Sequence, residues 1–181
     1  MSMRDDMQEI LFTQEDLADI VKRLGQRISE DYKDKNLFMV AALKGAVVFM
    51  ADLMREIDVP CAIDFLSLSS YGNGTSTSGE VQVRKDLDIT LEGRDLLVVE
   101  DILDSGVTLS FLLKTLSARN PKSIRLCTLL DKPERRRVPI TPDYVGATVP
   151  DKFIVGYGLD YAEKYRNLPY IGVLKPEIYS E

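Results

Sequence analysis

The chain has no histidine among its 181 residues. That absence excludes Ser-His-Asp and Cys-His catalysis, histidine-ligated metals and a histidine general base. Acid–base chemistry must fall to carboxylates, Lys, Tyr or Cys. Tryptophan is missing too, so aromatic contacts fall to six Phe and eight Tyr. Cysteine is scarce: Cys61 and Cys127 each sit inside an apolar run without CxxC spacing. They read as buried free thiols of a reducing compartment. Long apolar runs are also lacking. The longest, Leu37 to Leu43, has seven residues, against about 20 for a bilayer span. The N-terminal MSMRDDMQEILF shows no basic region followed by a long apolar one, hence no visible signal peptide. A cytoplasmic protein without membrane contact is expected. With 23 Lys+Arg against 29 Asp+Glu the net charge is −6, which argues against broad binding of nucleic acid or anionic membranes.

What is present fits one domain with a sizeable core. Thr13-Gln14-Glu15-Asp16 has the form of a capping box, and Leu17, Ile20, Val21, Leu24 and Ile28 follow on one helical face. LFMVAAL (37–43) fits a strand buried on both faces. AVVFMADLMREI (46–57) has helical character, and CAIDFLSL (61–68) reads as a strand. SSYGNGTSTSGE (69–80) is too polar to bury itself and is expected to form a long hairpin or a mobile lid. VQVRKDL (81–87) is expected to pair back along it. LLVVE (96–100) is the strongest buried-strand signal, followed by a DILDSG turn and a helix over 107–119. SIRLCTLL (123–130), FIVGYG (153–158) and YIGVL (170–174) read as further strands. This alternation implies an α/β fold with a mainly parallel central sheet flanked by helices. Ligands of such sheets bind beyond the carboxyl ends of the strands.

The chemistry concentrates in VVEDILDSGVT (98–108). Glu100 and Asp101 stand at a strand end, Asp104 follows, and Ser105-Gly106-Val107-Thr108 opens a helix. Turn amides and a helix N-terminus make a ready anion site. Gly106 allows close backbone approach, while Ser105 and Thr108 add hydroxyl donors. Glu100 and Asp101 can accept hydrogen bonds from a ribose diol or hold Mg²⁺ through water. Asp104 alone would suit an ordinary acidic helix start; the whole cluster behind an apolar strand does not.

VVEDILDSGVTL resembles the phosphoribosyl pyrophosphate (PRPP) motif of the type I phosphoribosyltransferases. LKGA (43–46), SSYG (69–72), LLDKPERRR (129–137) and DKFIVGYGLDYAEKYRNLPYIGVL (151–174) are similar, in order and approximate spacing, to the 6-oxopurine branch. That branch is the hypoxanthine(-guanine) phosphoribosyltransferases, and the likeness runs from about residue 37 to 179. The resemblance implies a single domain over 1–181. It has a core at about 37–150, a small hood lobe from about 1–36 and 151–181, and a mobile lid at about 69–81. It implies purine salvage: PRPP and hypoxanthine or guanine give IMP or GMP and pyrophosphate, with Mg²⁺ as cofactor.

Residue by residue, the resemblance makes Asp104 the general base at purine N7 and Ser105, Gly106, Val107 and Thr108 the cradle of the 5′-phosphate. The family motif often has Thr-Gly where this chain has Ser105-Gly106. Lys44 and Gly45 match the pyrophosphate loop, where the family commonly has a non-proline cis peptide, here between Leu43 and Lys44. Arg166 matches a second pyrophosphate contact. Lys132 matches the donor to the purine 6-oxo group, which would disfavour adenine. Phe153 matches the ring that stacks on the purine, with the Ile154 backbone reading its edge. Asp160 would stand near Mg²⁺ and the base-exchange site, and Glu100, Asp101 and Asp160 are the expected metal residues. Ser70 and Tyr71 would sit on a lid that excludes water. Arg135, Arg136 and Arg137 are expected at the surface or in subunit contacts, in a homodimer or homotetramer. Read locally, DYAEKYR is a helical segment that leaves Arg166 exposed. An RNA-binding regulator on the same fold shares the PRPP motif, but the −6 charge and KFIVGYGLDY weigh against it. A dinucleotide-binding domain fails for want of a GxGxxG after a strand.

Overall fold

The computed structural model describes residues 2–70 and 81–180. Tyr71 and most of the expected lid (69–81) lie outside the described residues. In chain order a 3-10 turn at Met3–Asp6 leads to β1 (Met7–Phe12), α1 (Gln14–Asp31), β2 (Leu37–Leu43), α2 (Val47–Arg55), β3 (Cys61–Ser70) and β4 (Val81–Lys85). There follow β5 (Asp95–Leu103), α3 (Val107–Ser117), β6 (Ser123–Asp131), a short turn at Pro133–Arg135, β7 (Tyr144–Thr148), β8 (Ile154–Val155), β9 (Ile171–Leu174) and α4 (Pro176–Tyr179). Among the described residues, no helix is long and apolar enough to cross a membrane.

The capping box of α1 is formed: the Thr13 hydroxyl accepts from the Asp16 N–H, and the Asp16 carboxylate accepts from the Thr13 N–H. The apolar stripe of that helix is buried from Leu17 to Ile28. Six strands form the main sheet in the order β4-β3-β2-β5-β6-β7, parallel except for β4 at the edge. Alternation along the apolar strands serves two cores at once, as the two-residue period of a strand requires. Leu37, Met39, Ala41, Leu97, Val99, Cys127 and Leu129 face α1 and α2. Phe38, Val40, Leu96, Val98 and Leu126 face Leu109, Leu112 and Leu116 of α3. Truncating one of these leucines to alanine costs about 2–5 kcal/mol.

A second, three-stranded antiparallel sheet in the order β1-β9-β8 joins the two ends of the chain, with Met7 opposite Leu174 and Ile154 opposite Val173. The expected N-terminal share of the hood is therefore too large. α1 packs on the main sheet, in one cluster with Leu37, Met39 and Cys127, so only β1 and the turn before it join the small layer. Ile154, Tyr157, Ile171 and Val173 continue that same core, so the layers share one interior. The main sheet grows leftward from β2 to β3 and rightward from β5 through β6 to β7. The strand order reverses between β2 and β5, and a crevice opens beyond their carboxyl ends.

Candidate active site

β5 runs three residues past its expected end because it stays in register with β6 as far as Leu103 opposite Asp131. Asp101 therefore belongs, with Glu100, to the strand and not to the turn. The turn itself ends on Gly106, whose φ of 79° is left-handed backbone that a side chain disfavours. A Cβ there would lie 3.0 Å from the methyl groups of Val138 and Ile140. The Ser105 Oγ accepts from the Val107 N–H at 3.4 Å. A cavity of about 280 Å³ is lined by Leu43, Glu100, Asp104, Ser105, Gly106 and Thr108. Val107 starts α3 and is exposed.

This turn is held from behind by a residue expected at the surface. Arg136 donates from Nε to the Asp104 carbonyl at 3.0 Å and from Nη1 to the Ile140 carbonyl at 2.8 Å, and its Nη2 pairs with the Asp131 carboxylate. The Arg137 N–H donates to the Ser105 carbonyl at 2.9 Å. With its side chain 18% exposed, Arg136 is an internal brace. Its partners at 104, 131 and 140 leave no local pattern in the sequence. Three arginines directly after a buried strand were the available signal.

On the other bank, the Leu43–Lys44 peptide is cis. Gly45 packs so closely on Asp101 that a Cβ would come within 1.9 Å of Asp101 Oδ2. The Lys44 Nζ pairs with Glu163 at 3.0 Å, and this bond holds the Glu163 carboxyl below the usual carboxylate range. Arg166 pairs through Nη2 with Asp160 at 2.9 Å and Glu163 at 3.5 Å, and its Nη1 donates to the Gly158 carbonyl at 2.8 Å. Its Nε is buried and has no partner among the described residues. The expected cations of the pyrophosphate loop thus meet on Glu163, which sequence reasoning did not single out.

The DYAEKYR segment is not a helix. Tyr161 and Lys164 exchange backbone hydrogen bonds at 3.2 and 3.0 Å across Ala162 and Glu163, both with positive φ, and the Asp160 carboxylate accepts from the Glu163 N–H. A tight reversal results, and it turns Arg166 inward.

Glu100 and Asp101 are adjacent carboxylates walled in by the sheet and the Gly45 loop. Burial pushes both above their ordinary range, and for Glu100 the neighbouring Asp101 charge adds to the rise. The hydrogen bonds of Asp101 with the Glu100 carboxyl and from the Ile102 N–H, and to a lesser degree the Arg166 charge, pull Asp101 partly back. Asp160 is engaged by Arg166 and the Glu163 N–H. Among the described residues, no three acidic groups form a ready metal cluster.

A second cavity, about 360 Å³, is lined by Ile102, Asp104, Lys132, Phe153, Asp160 and Tyr179. Lys132 is buried; its Nζ donates to the Lys152 carbonyl at 2.9 Å and lies 3.9 Å from Asp151. The expected strand over 153–158 is reduced to Ile154–Val155, because Gly156, Tyr157 and Gly158 take positive φ. Phe153 stays outside the strand, 37% exposed, while Ile154 is buried opposite Val173. Ile102 and Asp104 line both cavities. Asp104 Oδ1 is buried without a hydrogen-bond partner among the described residues, with the Arg135 Nε 3.7 Å away. Arg135 thus also faces the site. A larger cavity of about 600 Å³, bordered by Val48, Asp52, Tyr157 and Arg166, does not touch Asp104. Among the described residues the Asp104 oxygen lacks a hydrogen-bond donor, and it lines the two smaller cavities.

Ser70 ends β3. The structure thus brings Glu100, Asp101, Asp104, the 105–108 turn, Lys132, Phe153, Ile154 and Asp160 to one crevice, with Lys44, Gly45 and Arg166 on its far bank.

A model of the phosphoribosyl transferase domain matches residues 7–162. The hypoxanthine-guanine phosphoribosyltransferase of Bacillus subtilis (strain 168) is 52% identical over 177 residues, covering 98% of each chain. The bifunctional protein TilS/HprT of Listeria monocytogenes is 54% identical over 180 residues, 99% of this chain, which spans only 28% of that relative's length. Among solved structures, a hypoxanthine phosphoribosyltransferase from Staphylococcus aureus superposes with a TM-score of 0.96 at 50% identity, covering 99% of this chain and 97% of that one. The chain belongs to the phosphoribosyl transferase domain family and, within it, to the hypoxanthine-guanine phosphoribosyltransferases.

Proposed function

We propose that this chain transfers the 5-phosphoribosyl group of PRPP to hypoxanthine, and also to guanine, giving IMP or GMP. The bond from C1′ to pyrophosphate breaks, the bond from C1′ to the purine forms, and the N7 proton passes to Asp104. One observation carries this reading: Asp104 lines both cavities, with a buried oxygen that accepts no hydrogen bond among the described residues. A carboxylate between a helix-opening turn and a cavity lined by Lys132 and Phe153 suits proton removal from a purine held beside a ribose phosphate.

On this reading the turn amides and hydroxyls of Ser105, Gly106, Val107 and Thr108 bind the 5′-phosphate. Lys44, the Gly45 amide and Arg166 take the pyrophosphate once they leave Glu163. Lys132 donates to the 6-oxo group, Phe153 stacks on the ring, and the Ile154 backbone reads its edge. A lid over about 69–81, with Ser70 and Tyr71, and a hood from β1, β8 and β9 exclude water from the crevice. The working unit is a homodimer or homotetramer in the cytoplasm.

Glu100 and Asp101 fit Mg²⁺ chemically. These adjacent, half-buried carboxylates are held above their ordinary range chiefly by burial, a condition that a cation between them would relieve, and Mg²⁺ is usually bound by one or two carboxylates, waters and substrate phosphates. When bound with PRPP the ion would neutralise the departing pyrophosphate. Asp160 would join these carboxylates on release from Arg166.

The test is turnover with PRPP, Mg²⁺ and each of hypoxanthine, guanine, xanthine and adenine. Nucleotide formation from hypoxanthine, with little from adenine, is expected. Absence of IMP would overturn the reading.

A further inference from the structure

Phe153 stands at the mouth of the base cavity just ahead of β8. A half-exposed ring in such a place keeps its rotamers unless neighbours fix them. Two aromatic side chains do so. Tyr179, from α4, lies nearly parallel to it, with ring centroids 4.6 Å apart and planes 20° apart. Tyr161 meets Phe153 edge-on at 5.6 Å and 89°. Tyr161 and Tyr179 also meet, at 6.5 Å and 69°, which closes a set of three rings. The Phe153 carbonyl accepts from the Leu174 N–H at 2.9 Å. The end of β9 therefore fixes the Phe153 main chain, and the helix after it fixes the ring. Tyr179 lines the same cavity as Asp104 and Lys132. A phenyl ring has two faces, and Tyr179 stacks on one of them.

We propose that Tyr179 is a positioning residue for base recognition, holding the Phe153 ring flat so that its free face receives the purine. The inference rests on the phosphoribosyl-transfer reading and adds a residue that needs no contact with the reacting atoms. Its ring acts, not its hydroxyl. Stacked pairs contribute modestly beyond burial, so the effect belongs on base affinity and is about three- to ten-fold.

Steady-state kinetics of wild type, Tyr179→Ala and Tyr179→Phe test it, with the KM for hypoxanthine and for PRPP measured separately. Tyr179→Ala should raise the hypoxanthine KM about three- to ten-fold while the PRPP KM and kcat stay near wild type. Tyr179→Phe should restore the wild-type value. A hypoxanthine KM that falls in Tyr179→Ala would overturn the proposal, because the ring would then occupy the base's own place. Equal rises in both KM values, or a Phe variant as poor as the Ala variant, would overturn it too. Should Tyr179→Ala fail to fold, Tyr179→Leu keeps apolar bulk without a flat face and should show the same selective rise. A wild type that makes no nucleotide at all would remove the phosphoribosyl-transfer reading. An active wild type with an unaffected Tyr179→Ala would remove only the role of Tyr179.

Discussion

On the proposed reading, the polar lining of the phosphate side of the crevice comes from one stretch of chain, Glu100 to Thr108, with Leu43 and Leu68 as apolar walls, whereas the base side is collected from β5, the end of β6, the start of β8 and α4. The first is a strand end running into a helix N-terminus, a local device whose amides converge because the backbone turns there. The second is a box whose walls lie up to 77 residues apart in sequence, from Ile102 to Tyr179. Contiguous chain suffices to bind a phosphate, because a phosphate is recognised by amides and charge. A planar base needs faces and an edge donor, and these must come from separate elements. Asp104 belongs to both sides, and the difference between them can be tested through it.

The largest effect is expected where the two sides meet. Asp104→Asn removes the base but keeps its shape, and should lower kcat by about 10²–10⁴-fold with both KM values nearly unchanged. Near-normal IMP formation by this variant would refute its role. Lys132→Gln acts on the base side alone. Loss of a charge-assisted hydrogen bond should raise the hypoxanthine KM about 10- to 100-fold and narrow the preference over adenine. An equal rise in the PRPP KM would blur the two sides into one.

Gly106→Ala probes the phosphate side. Its left-handed backbone makes a side chain cost about 1–2 kcal/mol, and the Val138 and Ile140 methyls crowd it. The PRPP KM should rise several-fold while the hypoxanthine KM holds, and calorimetry should show a lower Tm. The smallest effect comes from a control at the opposite end of the sheet. The Asp31 carboxylate is held below its usual range chiefly by the hydrogen bond that the Tyr144 hydroxyl donates at 2.6 Å, with Arg125 helping. A lowered carboxyl contributes stability at neutral pH that disappears as the pH falls through its folded value. Asp31→Asn should therefore lower Tm by less than about 3 °C at pH 7, and the gap should close below pH ~4. Neither KM should move; a change in either would tie the crevice to the far end of the sheet.

Legibility followed the same division. The β2, β5 and β6 strands and both long helices could be read from apolar runs, and the 100–108 cluster from its residue types. β1 escaped because MQEILF shows mixed burial without clean alternation, and its partner β9 lies near the other end of the chain. β7 escaped because YVGAT is short and glycine-split. DYAEKYR has helical composition, yet the Asp160 bond to the Glu163 N–H and the reversal at Ala162 and Glu163 override it. Arg136 read as a surface arginine because carbonyls that recruit a guanidinium carry no residue-type signal.

The lack of histidine left acid–base chemistry to carboxylates, Lys, Tyr or Cys, and the sequence alone located Asp104 behind an apolar strand and before a helix, where the family resemblance implies the base. Periodicity and local chain direction determine such features, since they depend on neighbours a few residues away. Only the tertiary structure decided that Lys44 and Arg166 meet on Glu163, that Arg136 braces the phosphate turn, and that Tyr179 backs Phe153. Those contacts depend on packing between elements far apart in the chain, where a side chain's partner is set by the fold and not by its sequence neighbours.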